Sequence, residues 1–234
     1  MLTATVGTPI TNTAYLNDGL GNILLLKADS IYNPGFGLTI NHGELFTNIP
    51  TVTLDLTWSA TNPPIAEMFV SNDGGFSSGT DWMPVTPTLT NWALATYGNL
   101  VMPRTVYAKF RASDGQPYGP LQDEIIYDPT PPQVTGVEII PQLAHRFATS
   151  GAQNVIVRIK SGDDNSGVSR VQINSGENFS QFTEFTVTGS TTDIPWTLPP
   201  SGTIYVRVVD RAGNFSNIAS GHGAYKVYLP MIVR

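Results

Sequence analysis

The sequence contains no cysteine, which excludes disulfide bonds, thiol catalysis and zinc sites built on cysteine. Charged residues are also scarce, at 13% of the 234 residues. The chain has twelve Lys and Arg residues in scattered positions, and its net charge is −6. Because contact with phosphates requires clustered Lys and Arg, we expect no nucleic-acid partner.

Long apolar runs are missing as well. No run approaches the roughly eighteen apolar residues of a membrane-spanning helix, so we expect no membrane span. No basic region and apolar core follow Met1, so we predict no signal peptide in this chain. The 22 glycines and 18 prolines favour frequent turns, and no long apolar stripe has the helical period. We therefore predict an all-β protein.

The most informative feature that is present is a repeat. Segment 65–77 (IAEMFVSNDGGFS) realigns on 168–180 (VSRVQINSGENFS) at an offset of 103 residues. At this offset Trp92 falls near Trp196, and beyond the tryptophans the offset shortens to 98. A repeat of roughly a hundred residues has the size of an immunoglobulin-like sandwich.

We therefore predict two tandem immunoglobulin-like β-sandwiches, at 36–129 and 130–229. Three prolines in the connecting sequence DPTPP (128–132) favour an extended, stiff connector. Residues 1–35 lie outside the repeat. Within them, NDGLG (17–21) separates two β-prone runs and predicts an N-terminal β-hairpin.

Alternating apolar residues and turn signals predict seven strands in each sandwich. In the first, we predict strands near 38–46, 51–59, 65–71, 82–86, 89–96, 104–112 and 122–128. In the second, we predict strands near 134–140, 153–161, 168–174, 182–188, 193–198, 203–210 and 223–229. Trp92 and Trp196 recur in both units, so we expect both side chains to be buried in the cores.

The segments INHGELFTNIPTVTLDLTWSA, SNDGGFS, TVYAKFRASDGQ and DEIIYDPTPP, together with TIYVRVVDRAGNFS, resemble the bacterial Ig-like (fibronectin type III-like) repeats of surface, secreted and virion proteins. The resemblance covers about 36–229. It implies non-catalytic modules of adhesins, envelope proteins, enzyme spacers or phage particles. The first unit departs from the pattern at Ala112 and Gln116, where the signature has Asp and Asn.

No constellation of residues predicts an enzyme. His42, His145 and His222 lie far apart in loop or glycine-rich contexts, typical of solvated side chains. Asp123 and Glu124 are adjacent on a predicted strand, so they point to opposite faces and make a poor acid–base pair.

Calcium is the one cofactor with a sequence argument. In an Ig-like sandwich, the loop after the second strand and the loop after the sixth lie at the end where the connector arrives. The carboxylates that would supply hard oxygen ligands at this end are Asp128, Asp163, Asp164 and Asp210. The alternative is ordinary turn chemistry, because Asp is also a common turn residue.

Aromatic residues raise the alternative of sugar binding. Trp58, Trp82, Tyr97 and Tyr118 do not recur between the units, so they are the candidates for exposed rings that contact a surface glycan. This interpretation makes the chain an adhesin fragment or a carbohydrate-binding module of a larger secreted protein.

The leading hypothesis is a structural or assembly protein in an extracellular fibre, a cell-surface layer or a virus particle. Apolar sequence lies outside both sandwiches, in the hairpin and in the tail at 230–234. We expect these chain ends to bind other subunits or further copies of the chain, through Ile23, Leu24, Leu25, Leu26, Met231, Ile232 and Val233. The alternative is that residues 1–35 fold back on the first unit and that the tail frays.

Overall fold

The computed structural model of the chain describes residues 9–17, 23–31, 35–98, 102–142, 153–187 and 189–223, the first two ranges as backbone. These residues form β-strands and one short 3₁₀ helix, Asn41–Gly43. No helix within the described ranges has the length and apolar character needed to cross a membrane. Two compact units meet in sequence between Tyr127 and Asp128, with the short segment 46–48 grouped with the second.

The N-terminal residues form the predicted hairpin. Strand β1 (Pro9–Asn17) pairs antiparallel with β2 (Ile23–Ile31), in a register that joins Pro9 to Ile31 at one end and Asn17 to Ile23 at the other. The two strands make a separate two-stranded sheet. The turn predicted at 17–21 lies outside the described residues except for Asn17.

The two sheets of the first sandwich contain eight strands, several of them short, and one of these, β4 (Phe46–Thr47), lies in the segment 46–48 that is grouped with the second unit. They are β3 (Gly37–Ile40), β4 (Phe46–Thr47), β5 (Thr51–Thr57), β6 (Ile65–Ser71), β7 (Met83–Pro84), β8 (Thr88–Ala93), β9 (Pro103–Ala112) and β10 (Pro117–Tyr127). One sheet has the order β3-β5-β8, and the other has the order β4-β10-β9-β6-β7.

The core of the first unit follows from period-two alternation in its central strands. Val52, Leu54 and Leu56 of β5 are buried, and so are alternate residues of β9 from Val106 to Ala112. Phe110 is fully buried, with its ring centroid 5.6 Å from that of Phe36. A strand with one buried face must present apolar residues at every second position, which is why the sequence predicted these strands correctly.

The second unit repeats this arrangement. Its strands are β11 (Gln133–Pro141), β12 (Gln153–Gly162), β13 (Val168–Asn174), β14 (Thr183–Thr186), β15 (Thr191–Leu198), β16 (Thr203–Asp210) and β17 (Ala219–His222). The sheet orders are β11-β12-β15 and β14-β13-β16-β17. Each core draws residues from both of its unit's sheets. The predicted fold, two tandem Ig-like β-sandwiches preceded by a hairpin, is confirmed.

Two details differ from the sequence prediction. The first predicted strand stops at Ile40, because residues 41–43 turn in a 3₁₀ helix in which His42 has a φ of 59°. In the described ranges the last strand is β17, and the strand predicted at 223–229 lies outside these ranges except for Gly223, so it stays a prediction. Trp92 and Trp196 are half-buried at the margins of the cores.

The core predicts the effect of a large-to-small change in the first unit. We expect Phe110→Ala to lower the free energy of unfolding by about 3–5 kcal/mol, because it removes a fully buried ring and leaves a cavity. Urea denaturation followed by circular dichroism measures this loss. Thr88→Ala, at an exposed position of β8, is the control and should change stability by no more than about 0.5 kcal/mol.

Candidate metal centre in the second unit

Three carboxylates converge at one end of the second sandwich. Asp128 precedes β11, Asp163 follows β12, and Asp210 is the last residue of β16. One carboxylate oxygen from each of the three lies within 4.8 Å of the other two. The structure therefore brings together three of the four residues that the sequence predicted as calcium ligands.

The fourth predicted ligand lies apart from this cluster. Asp164 is exposed, and it does not belong to the group of converging carboxylates. It follows Asp163 directly in the chain, but only Asp163 turns its carboxylate inward, towards the backbone N–H groups of its own turn.

Asp128 is fully buried and accepts three hydrogen bonds. Its Oδ1 accepts from the backbone N–H of Thr130 at 3.0 Å and from Nδ2 of Asn165 at 3.1 Å. Its Oδ2 accepts from the backbone N–H of Ser166 at 2.9 Å. The carboxylate thus joins the chain entering β11 to the turn that follows β12.

Asp163 has one satisfied oxygen and one unsatisfied oxygen. Its Oδ2 accepts from the backbone N–H groups of Asn165 at 3.1 Å and Gly167 at 2.6 Å. Its Oδ1 is buried and has no hydrogen-bond partner. One oxygen therefore shapes the turn, while the other is free to bind a ligand.

Asp210 is 1% exposed and is held by Asn214. The backbone N–H of Asn214 donates to Asp210 Oδ1, and Asn214 Nδ2 donates to Oδ2, each at 2.8 Å. The same Nδ2 also donates to the backbone carbonyl of Asp128 at 2.8 Å. Gly213, with a φ of 94°, supplies the left-handed turn that allows Asn214 to reach back.

Burial affects the two buried acids in opposite ways. For Asp128, burial acts to raise the pKa, but the polar groups of Ser166, Asn165 and Thr130 outweigh it and hold the pKa below its usual value. For Asp210, burial is the largest effect, and with the nearby charge of Asp128 it raises the pKa despite the hydrogen bonds from Asn214. A positively charged side chain close to the cluster would oppose this rise in the pKa of Asp210.

No ion pair within the described ranges involves these three carboxylates. Arg211 supplies a cationic side chain in the same hydrogen-bond network, and its Nη1 donates to the backbone carbonyl of Ser166 at 3.1 Å. The hydroxyl of Ser166 is beside Asp128 and contributes to lowering the pKa of Asp128, although it lacks the geometry of a hydrogen bond to any described atom.

The first unit builds the same turn without the acids. Ala112 occupies the position of Asp210, and its N–H bonds to the carbonyl of Gln116 at 2.9 Å, as the N–H of Asp210 does to Asn214 at 3.1 Å. At the repeat offset, Ala60 occupies the position of Asp163. The backbone of the turn at 112–116 therefore forms without a carboxylate, whereas Asp163 Oδ2 accepts hydrogen bonds from its own turn.

The predicted histidine and ring positions are dispersed. His42 pairs with Asp55, with Nδ1 and Oδ2 2.7 Å apart, and Nδ1 of His222 is 3.1 Å from Oγ1 of Thr203. His145 lies outside the described residues. Of the rings considered for sugar binding, Trp58 and Tyr118 pack against the first core, Trp82 is half-buried and Tyr97 is exposed.

Each unit also holds a cation among aromatic rings, which the sequence analysis did not predict. Nζ of Lys109 lies 4.1 Å from the ring centre of Phe76, and Cζ of Arg207 lies 4.6 Å from that of Phe179. The two phenylalanines realign at the offset of 103, and the two cations realign at the offset of 98. The equivalent positions of the two rings and of the two cations in the repeat are the sequence signal that could have predicted these contacts.

The assembly residues proposed from the sequence fall at the chain ends. Ile23–Leu26 begin β2. Met231, Ile232 and Val233 lie outside the described residues, as does the rest of the predicted tail.

No protein family and no curated protein matches the sequence. Among solved structures, the chain is similar to the fibronectin(III)-like modules of Clostridium thermocellum CbhA, with 14% identity, a TM-score of 0.48, and 79% of this chain and 91% of that chain covered. It is also similar to the chicken CNTN1 FN1–FN3 domains, with 11% identity, a TM-score of 0.40, and 87% and 73% covered. These neighbours are fibronectin type III-like modules, the fold that the sheet orders establish.

The hydrogen-bond network around Asn214 predicts that replacing Asn214 lowers the free energy of unfolding more than replacing its equivalent in the first unit, Gln116. Asn214→Ala should lower the free energy of unfolding by about 2–3 kcal/mol, because it leaves Asp210 Oδ2 and the Asp128 carbonyl without a donor. Gln116→Ala is the matched control in the first unit. Gln116 is exposed, so we expect a change of no more than about 0.5 kcal/mol. Equal losses in urea denaturation would contradict the role assigned to Asn214.

Proposed function

We propose that this chain is a non-catalytic structural protein that assembles, through its N-terminal hairpin, with other subunits or with further copies of itself. Its setting is an extracellular fibre, a cell-surface layer or a virus particle. The observation that carries the proposal is the hairpin: within the described ranges, β1 and β2 pair by backbone hydrogen bonds only with each other and extend no sheet of either sandwich, although β2 lies close to β10.

An isolated two-stranded hairpin is marginally stable in water, and three or more strands with an apolar face are normally needed. Here the hairpin has nine residues in each strand, long enough to offer a row of backbone donors and acceptors along its outer edges. A third strand from another subunit would satisfy these groups and complete a stable sheet.

The sequence of β2 supports the same conclusion. The strand begins with four consecutive aliphatic residues, Ile23–Leu26, in register with Leu16 and Ala14 of β1 among others. Consecutive residues of a strand belong to opposite faces, so an aliphatic run supplies apolar residues to both faces of the ribbon. A ribbon that is apolar on both faces gains stability when it is covered on both.

The chain composition and architecture are consistent with this setting. Tandem sandwiches of one fold, joined by a proline-rich segment, are the usual construction of long extracellular proteins. The tail residues Met231, Ile232 and Val233 supply a second apolar segment, and we propose that they contact a neighbouring subunit in the same way.

A binding module is the second candidate function, and one observation favours it. Phe182 and Phe215 are 44% and 50% exposed, and both flank Arg207 on the second unit. Exposed rings beside a cation form a surface suited to polar ligands with apolar faces, such as sugars. Glycan binding that Phe215→Ala removes would support this candidate over assembly.

The assembly proposal predicts a concentration-dependent mass. We expect the full chain to form oligomers in sedimentation experiments at rising concentration, and Leu24→Lys with Leu25→Lys to reduce them to monomers, because charge on the ribbon opposes its burial. Deletion of 1–31 should have the same effect.

The control variant adds the same two charges elsewhere. Ser78→Lys with Ser175→Lys places them in exposed loops of the two sandwiches, and we expect it to associate as the unmodified chain does. The proposal is wrong if the variants in the hairpin and the control have the same mass at every concentration while all of them stay folded by circular dichroism.

A further inference from the structure

We infer that the second unit binds one calcium ion between Asp128, Asp163 and Asp210. This inference is independent of the proposed assembly function. Its first support is the convergence of the three carboxylates, with one oxygen of each within 4.8 Å of the others. Oxygens that share a calcium ion at about 2.3–2.6 Å lie up to roughly 5 Å apart, so this spacing accommodates the ion without rearrangement.

The cluster has more acceptors than donors. A carboxylate oxygen accepts up to two hydrogen bonds. Asp163 Oδ1 accepts none, whereas Asp128 Oδ2 and both oxygens of Asp210 each accept one from the described residues. Several lone pairs therefore remain for a ligand, in a place where burial makes unpaired negative charge costly.

Ser166 provides an independent observation. Its side chain is 1% exposed, and its Oγ lies beside the Asp128 carboxylate without the geometry of a hydrogen bond to any described atom. A buried hydroxyl without a well-formed hydrogen bond is unusual in a folded protein. A cation held by Asp128 gives this oxygen a partner, because a hydroxyl can act as a neutral ligand.

The repeat shows that one of the acids, Asp210, is not needed to form its turn. The first unit makes the same backbone hydrogen bonds at the equivalent turn, including that from Ser113 N–H to the Pro64 carbonyl, which matches that from Arg211 to Gly167. It makes them with Ala112 where the second unit has Asp210. Asp210 is buried, so the role of its carboxylate is additional to the formation of this turn.

The ligand chemistry selects calcium. All the candidate ligands are oxygens, which favours a hard cation over zinc or copper, since those ions are commonly held by nitrogen or sulfur. Calcium tolerates irregular coordination and mixed ligands, whereas magnesium requires near-ideal octahedral geometry and retains its water. The three carboxylates come from three separate segments, so they supply negative charge in an irregular arrangement of the kind that calcium tolerates.

Thermal unfolding of the full chain, after treatment with chelator, tests the inference. We expect added calcium at about a hundred times its dissociation constant to raise the melting temperature of the second unit by roughly 10 °C, because the ion binds only the folded state. Magnesium at the same concentration should have a much smaller effect.

The decisive variant is Asp163→Asn. Its amide oxygen can still accept from Asn165 and Gly167, but an NH₂ group replaces the free carboxylate oxygen. We expect the calcium response to be lost, while the melting temperature in chelator stays at or above that of the unmodified chain because carboxylate repulsion is reduced. Asp164→Asn, the same change at the exposed neighbour, should leave the calcium response intact.

Three results would overturn the inference: no shift with calcium in the unmodified chain, an equal shift with magnesium, or equal responses from Asp163→Asn and Asp164→Asn. Titration calorimetry on the unmodified chain gives a second measurement that does not depend on a variant folding. We expect one calcium ion per chain, and an absence of binding would also overturn the inference.

Discussion

The burial of the Asp128 carboxylate at the start of the second unit governs the structure around it. A buried charge is tolerated only when donors or a cation compensate for lost water. Asp128 meets this requirement with N–H groups from Thr130, Asn165 and Ser166. These donors tie the beginning of β11 to the turn after β12, and Asn214 adds the turn after β16 by donating to the Asp128 carbonyl. Three segments distant in sequence are therefore held by one residue and its neighbours.

Comparison of the two units separates what the fold requires from what is added to it. Both sandwiches share the order of their three-stranded sheet, the central strands of the other sheet and the backbone bonds of the turn after β9 and β16, whereas a fifth strand, β4, is present only in the sheet that contains β10. The first achieves these with alanines where the second has Asp163 and Asp210. Chemistry specific to the second unit is thus placed on a framework that folds without it, as is common for sites carried by sandwich folds.

The sequence predicted the strands whose buried residues follow a local pattern, and it did not predict features that depend on packing between distant segments. Strand β16 was predicted to the residue because Ile204, Val206 and Val208 are buried at every second position, the period that one buried face imposes. Strand β17 carries no such pattern: a Cβ atom at its Gly221 would lie 2.7 Å from Val137, so packing across the sandwich decides its position. The candidate ligands Asp128, Asp163 and Asp210 were predicted because an Ig-like fold brings their loops to one end. Ser166 and Asn214 were missed because their roles depend on distances that no sequence pattern encodes.

A cation that completes the carboxylate cluster of the second unit can be located directly in a crystal. The measurement is anomalous diffraction from crystals in which a lanthanide replaces calcium, since lanthanides also prefer oxygen ligands. We expect one strong peak about 2.3–2.6 Å from oxygens of Asp128, Asp163 and Asp210, and no peak at the turn that contains Ala112. The absence of a peak at the cluster, in crystals whose exposed carboxylates bind the lanthanide, would show that no cation binds there.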